Sequence, residues 1–400
     1  SADSTETIKL AVVDKAVSTG AGQVEPGTWI WNGTAWVDAN TIQVYQGEKL
    51  LLATDLLSDA LTAANQAGDD CTIKLLDDVT SSGLLPSIEQ DLTLDLGGHT
   101  ISTSGSLYIG NREAIGSNPA VSGTNPTVTI QDGTISSTGA SVDVIRIGSG
   151  SVTADNLDIM APVSSISTAC GVSMTGGAFT LKADSSILSG SIGIQVLGTG
   201  TKVDVYGSVT TQGKNLNVPD YGIMGNGTAT TNSTITLHRG ATVRSDGLAI
   251  YHPQTGTLNI DGATVTGGTG VAMKGGTLNV TGDAIYVEGN YEDRGVVVNI
   301  QGGTITSAQG NAVQVAVVEA DDSLTDGKKV NVTGGTVSGN VVTAAGGKTS
   351  ISGGTVTGTV SGAVGDVSVT GGSINGDVSQ FIPQGNNTPR YTVTFDANGG

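Results

Sequence analysis

The hexapeptide TLNIDG at 257–262 returns as TLNVTG at 277–282, twenty positions later. Twenty residues are too few for a domain and too many for a hairpin. The repeat therefore marks a structural unit that must stack on copies of itself to bury its apolar face.

The unit has an inward aliphatic anchor, a turn rich in glycine, and a second aliphatic residue five positions on. Clear anchors are Leu96, Ile130, Ile260, Val280, Ile300, Val332, Ile351 and Val369, with Leu75, Ala154, Leu181, Val205 and Leu237 as weaker copies. A further strand recurs inside the unit, as in GVSMTGG from Gly171, GIQVLGTG from Gly193 and GVAMKGG from Gly270. Both strands alternate aliphatic with polar residues, so each buries one face. Stacking like strands in parallel pairs every backbone group and buries all these faces together. The expected fold is all-β: a right-handed parallel β-helix solenoid with a short N-terminal β-hairpin region and a capping α-helix. About thirteen coils at ~4.8 Å make a rod of roughly 60 Å. The variable, short period disfavours a β-propeller, and the strict repeat disfavours a β-sandwich.

Composition agrees. Only 13% of residues are charged and 4% aromatic, while glycine numbers 61; with abundant β-branched residues this excludes helical and ordinary disordered classes. A formal charge of −19 disfavours nucleic acid and anionic membranes as partners. No apolar stretch has membrane-spanning length, and no signal peptide is present; the opening SADSTETIKL reads as a mature or recombinant N-terminus. Cys71 and Cys170, three coils apart, are expected to be unbonded.

Three regions follow: an N-terminal β-rich segment over 1–49, the solenoid over 50–382, and a linker with the start of another module over 383–400. ATDLLSDALTAANQAG before the first coil reads as an amphipathic helix with Asp55 as its cap, Leu57, Leu61 and Ala64 on one face, and Gly68 as its stop. It is expected to cover the open end of the solenoid.

The stretch from AANQAGDDCTIKLLDDVT to LTLDLGGHTI resembles the opening of pectate-lyase-like β-helix proteins. The TLNIDGATVTGG repeats are similar to those of large surface proteins of Gram-positive gut bacteria. The last ten residues, YTVTFDANGG, resemble the opening of the internalin B-type (Listeria–Bacteroides) repeat. Together these resemblances imply a secreted or cell-wall-attached extracellular protein whose anchor lies beyond this stretch.

Many β-helix proteins cleave polysaccharides, which requires two carboxylates about 5–5.5 Å apart for retention or about 6.5–9.5 Å for inversion. With Leu96 as anchor, Asp95 and Asp204 fall in one outward row four coils apart, as do Asp155 and Asp261 in the other, ~19 Å in each case. Asp204 and Asp261 are diagonal and beyond ~11 Å, so no pair fits. The loop at 319–329, with Asp321, Asp322 and Asp326, lacks the spacing of a calcium loop and reads as a solvated insertion. No zinc, phosphate-loop or serine-nucleophile pattern occurs, and Asp69–Asp70 and Asp77–Asp78 read as turn residues. No cofactor or metal is called for.

A non-catalytic adhesin or glycan-binding stalk is therefore expected, with a polysaccharide lyase or glycoside hydrolase acting on uronic-acid or mucin-type glycans as the alternative. Its candidate groove is the ladder Lys182–Tyr206–His238–Asp261, with a second outward row of Arg146, Ser173, Gln195, Met224, Tyr251 and Ala272. Outward positions on any solenoid are polar, so each row also has a purely structural reading. The row Asn259–Asn279–Asn299–Asn331 is expected to form a stabilising amide ladder. GTWIWNGTAWVDA holds all three tryptophans. A two-residue Asn32-Gly33 turn would pair Trp29 with Trp36 and set Trp29, Trp31 and Trp36 on one face, either as packing or as a sugar platform.

Overall fold

In a computed structural model the chain is an all-β solenoid of stacked parallel strands with a single α-helix among the described residues. Those residues are 41–115, 119–213, 220–225, 231–267, 269–273, 276–280, 296–302, 304–315, 328–343 and 347–383, with the backbone of five short strands between Leu10 and Asp38. Among them no helix is long and apolar enough to cross a membrane.

The anchor strands stack in register through thirteen coils. The inward row runs Ile73, Leu94, Ile130, Ala154, Leu181, Val205, Leu237, Ile260, Val280, Ile300, Val332, Ile351 and Val369. Every member is at most 1% exposed, as a solenoid core requires. Leu75 and Leu96 are also buried but stand two positions beyond this row. Ile130 reaches its partner strand in five residues, whereas Leu94 needs seven to reach Ile101, which pairs with Ile135. The extra two residues fold Leu96 into the corner. Turn glycines are not always what bends the chain. At the position two after the anchor, Asp132 (φ 57°) and Asn156 (φ 49°) adopt the left-handed conformation, as short polar side chains tolerate. Asn156 Nδ2 donates to Asp132 Oδ1 of the preceding coil at 2.9 Å.

The inner strands form a separate seven-stranded parallel sheet, Leu107–Ile109, Ile145–Ile147, Cys170–Met174, Ile192–Val196, Tyr221–Gly225, Leu248–His252 and Thr269–Met273. Glycine stands second in four of these strands, at 171, 193, 222 and 270, because the core is thin there. A Cβ on Gly193 would meet Val209 Cγ1 of the facing strand and the Gly222 carbonyl oxygen.

Both ends are covered. Strand Ile42–Gln46 pairs antiparallel with Cys71–Leu75, the first coil. Helix Leu57–Ala67 buries Leu57, Ala60, Leu61 and Ala64 and stops at Gly68 (φ 92°). Asp55 does not cap it: its Oδ1 accepts from the backbone N–H and hydroxyl of Thr41 at 2.9 and 2.8 Å, which holds the carboxyl below its ordinary range. At the far end a single 3-10 turn, Ser379–Phe381, buries the Phe381 ring. Cys71 and Cys170 are free and buried, three coils apart.

Candidate functional site

The two-residue shift at the first coils changes which side chains share an outward row. Asp95 pairs with Gln131 and Lys74, and Gln131 with Asp155. Lys182, Tyr206, His238 and Asp261 continue the row, their backbone N–H groups bonded in turn to Ala154, Leu181, Val205 and Leu237. One outward row thus runs Lys74–Asp95–Gln131–Asp155–Lys182–Tyr206–His238–Asp261, eight functional side chains on consecutive coils. The expected four-member ladder is its second half. Asp95 was expected in the row of Asp204; it belongs instead with Asp155, two strands or roughly 10 Å away.

Within the row, Tyr206 and His238 stack face to face, centroids 3.9 Å apart and planes 4° from parallel. Their faces therefore look along the rod axis and their edges outward. His238 Nε2 lies 2.9 Å from Asp204 Oδ1, and Lys202 Nζ 2.9 Å from Asp204 Oδ2. Burial alone would raise the Asp204 pKa; the hydrogen bonds and charges of Lys202 and His238 more than reverse that, and it lies below the ordinary carboxylate value. Asp204 thus fixes the imidazole and, through it, the stack. Lys182 and Asp261, which flank the stack, are exposed.

The neighbouring outward row is built to satisfy itself. It runs Thr72, Thr93, Thr129, Thr153, Thr180, Asp204, Thr236 and then the four asparagines. Asn259 donates to Thr236 Oγ1 at 3.3 Å, and Asn279, Asn299 and Asn331 each donate to the asparagine before, at 2.9, 3.3 and 2.9 Å. The expected amide ladder is present.

On the seven-stranded sheet, Arg146, Ser173, Gln195, Met224, Tyr251 and Ala272 pair in the expected order, headed by Tyr108. Arg146 Nε donates to Asp143 Oδ2 at 2.9 Å, and Asp143 Oδ1 accepts from the Cys170 backbone N–H at 2.9 Å. Burial, with Asp143 adding to it, pushes the Cys170 thiol far up, which leaves it inert at neutral pH. Gln195 Oε1 accepts from Ser173 Oγ at 3.3 Å. Tyr251 lies 5.5 Å from Tyr221, rings tilted 41°. Ser173 and Ala272 are buried and add little to the outward surface of this row.

Other candidates separate from these faces. Asp77, Asp78 and His99 offer ligand atoms within 4.8 Å of one another. Asp78 Oδ1 already accepts from the Thr100 N–H at 2.8 Å, and Asp77 Oδ1 from the Asp78 N–H at 2.8 Å, the turn role expected of them. Strands Gly27–Trp31 and Trp36–Asp38 form the tryptophan hairpin, but its register pairs Trp31 with Trp36 and Trp29 with Asp38. The loop therefore spans four residues and not two, and Trp29 does not face Trp36. The acidic loop 319–329, apart from its last two residues, and the terminal YTVTFDANGG lie outside the described residues.

No protein-family model, no curated protein and no solved structure matches the chain. Gln131 and Asp155 follow the correctly read anchors Ile130 and Ala154, but Lys74 and Asp95 were missed as members of the row because Leu75 and Leu96 mimic anchors. The signal that finds them is the alternation CTIKL and LTLD, whose central aliphatics are Ile73 and Leu94.

Proposed function

We propose that the protein is a non-catalytic extracellular surface protein, an adhesin or glycan-binding stalk, secreted or attached to a bacterial cell wall. The observation that carries this reading is the continuous outward row from Lys74 to Asp261. Its side chains recur every ~4.8 Å, comparable with the length of one hexose residue, and set charged, amide and aromatic hydrogen-bonding groups in a straight line. Such a row suits a linear glycan lying along the rod. The Asn ladder and the Asp204 cluster support the other half of the reading, a stiff spacer whose polar side chains are spent on one another. The resemblance to pectate-lyase-like β-helix proteins and to wall-associated repeats adds the location. The acidic balance argues against nucleic acid as partner.

A second reading, an inverting glycoside hydrolase, draws on the alignment of Asp95 with Asp155. Their spacing, roughly 10 Å between backbones, lies just above the range for inversion. Against it, Asp95 Oδ1 is held by the Gly97 N–H at 3.0 Å, and Gln131 stands between the two. Incubation with plant and mucin polysaccharides separates the readings. Retention of the protein on a glycan without new reducing ends or unsaturated products is expected. Release of reducing ends that Asp155→Asn abolishes would establish the hydrolase instead.

A further inference from the structure

The seven-stranded sheet begins with a concentration of positive charge that the proposed glycan row does not use. Tyr108 and Arg146 are direct neighbours on adjacent strands. Arg112 reaches the same ring from the loop that follows Leu107–Ile109, held by paired backbone bonds to Val121 of 2.8 Å each. Both guanidinium carbons lie within 6 Å of the Tyr108 centroid, Arg112 at 5.5 Å and Arg146 at 5.8 Å.

Two cations therefore share one aromatic ring in a chain of formal charge −19. Among the described residues Asp143 is the one carboxylate in ion-pair contact with either, and both its oxygens are engaged, by Arg146 Nε and the Cys170 N–H. Glu113, adjacent in sequence, is exposed, and among the described residues it forms no ion pair with Arg112. Arg112 Nε and Nη1 are shielded from solvent and meet no acceptor among the described residues. Arg146, its side chain 43% exposed, bonds Asp143 through Nε and leaves its Nη groups facing outward, and a delocalised oxyanion is the group whose geometry answers such a guanidinium pair.

We propose that Tyr108, Arg112 and Arg146 form a subsite for one oxyanion carried on a sugar, a carboxylate or a sulfate ester. The strands beyond it present Gln195, then the tilted Tyr221–Tyr251 pair, groups suited to the hydroxyls and ring edges of neutral sugars. The net negative charge repels polyanions at long range, so the subsite selects an isolated acid on an otherwise neutral chain. It lies on a different sheet from the Lys74–Asp261 row, and the two fail independently.

The test is calorimetric titration with three oligosaccharides of one backbone: neutral, bearing one terminal uronic acid, and bearing one sulfate ester. The acidic arms should bind at least about tenfold tighter than the neutral one, and Arg112→Gln should abolish that margin. The two acidic arms distinguish carboxylate from sulfate. Equal affinity for all three, no binding of either acid, or an acid preference intact in Arg112→Gln overturns the subsite.

Discussion

Gly193 is where the thin core makes its sharpest demand. Its backbone is not left-handed, so alanine carries no conformational penalty there and the effect is steric. The added Cβ would fall inside van der Waals distance of Val209 Cγ1 and 2.5 Å from the Gly222 carbonyl oxygen. Val209 is fully buried and β-branched, with little rotamer freedom. The Gly222 oxygen belongs to the next strand's backbone and moves only with the sheet. Overpacking of this kind costs about 1–3 kcal/mol. Val209→Ala alone removes two buried carbons and costs about 2–3 kcal/mol. In the double variant the new Cβ occupies part of the space Val209 vacates, so the total should fall short of the sum by about 1 kcal/mol or more. Urea unfolding followed by circular dichroism measures all four corners of the cycle. A Gly193→Ala variant within about 0.5 kcal/mol of wild type, or a strictly additive pair, would refute the close approach of these two strands.

Three further outcomes are expected. Asp204 is held below its ordinary pKa of 3.8, so its stabilisation is present above that value and lost as pH falls through the folded pKa; Asp204→Asn should flatten the acid limb of a melting-temperature profile over about pH 2–6, and an unchanged limb would remove the cluster's role. Asn279→Ala breaks two ladder bonds, to Asn259 and from Asn299, and should cost about 1–3 kcal/mol at the urea midpoint, with Asn279→Asp worse because it faces Asn259 Oδ1 without a donor. Thiol titration should find no reactive cysteine in the native protein and two after unfolding; a disulfide between Cys71 and Cys170 would contradict the coil register.

Much of the solenoid is legible in the sequence, because stacked coils repeat their chemistry. From Ile260 to Val369 the anchors and the Asn row fall where alternation and spacing put them. The first coils mislead for a local reason: Leu94 and Leu96 are both aliphatic and both buried, and only pairing with Ile130 shows which one stacks. That slip of two keeps every side chain on its correct face yet moves Asp95 from one outward row to the other. Asp55 looks like a helix cap from its neighbours alone, but Thr41, distant in sequence, offers two donors and takes it. The Tyr206–His238 stack follows from adjacency on consecutive coils. The bond from Asp204 is diagonal, between rows, and a reading row by row does not reveal it.

The straight row from Lys74 to Asp261 is tested most directly by the dependence of affinity on glycan length. Eight side chains at ~4.8 Å span roughly 34 Å, so a linear oligosaccharide has a new contact to gain with each sugar. Titration with a size series of a bound polysaccharide should show affinity rising stepwise to about six to eight sugars, with no cleavage at any length. A plateau at two or three sugars, or affinity unchanged when Lys182 and Tyr206 are both replaced by alanine, would contradict a binding face that runs along the rod.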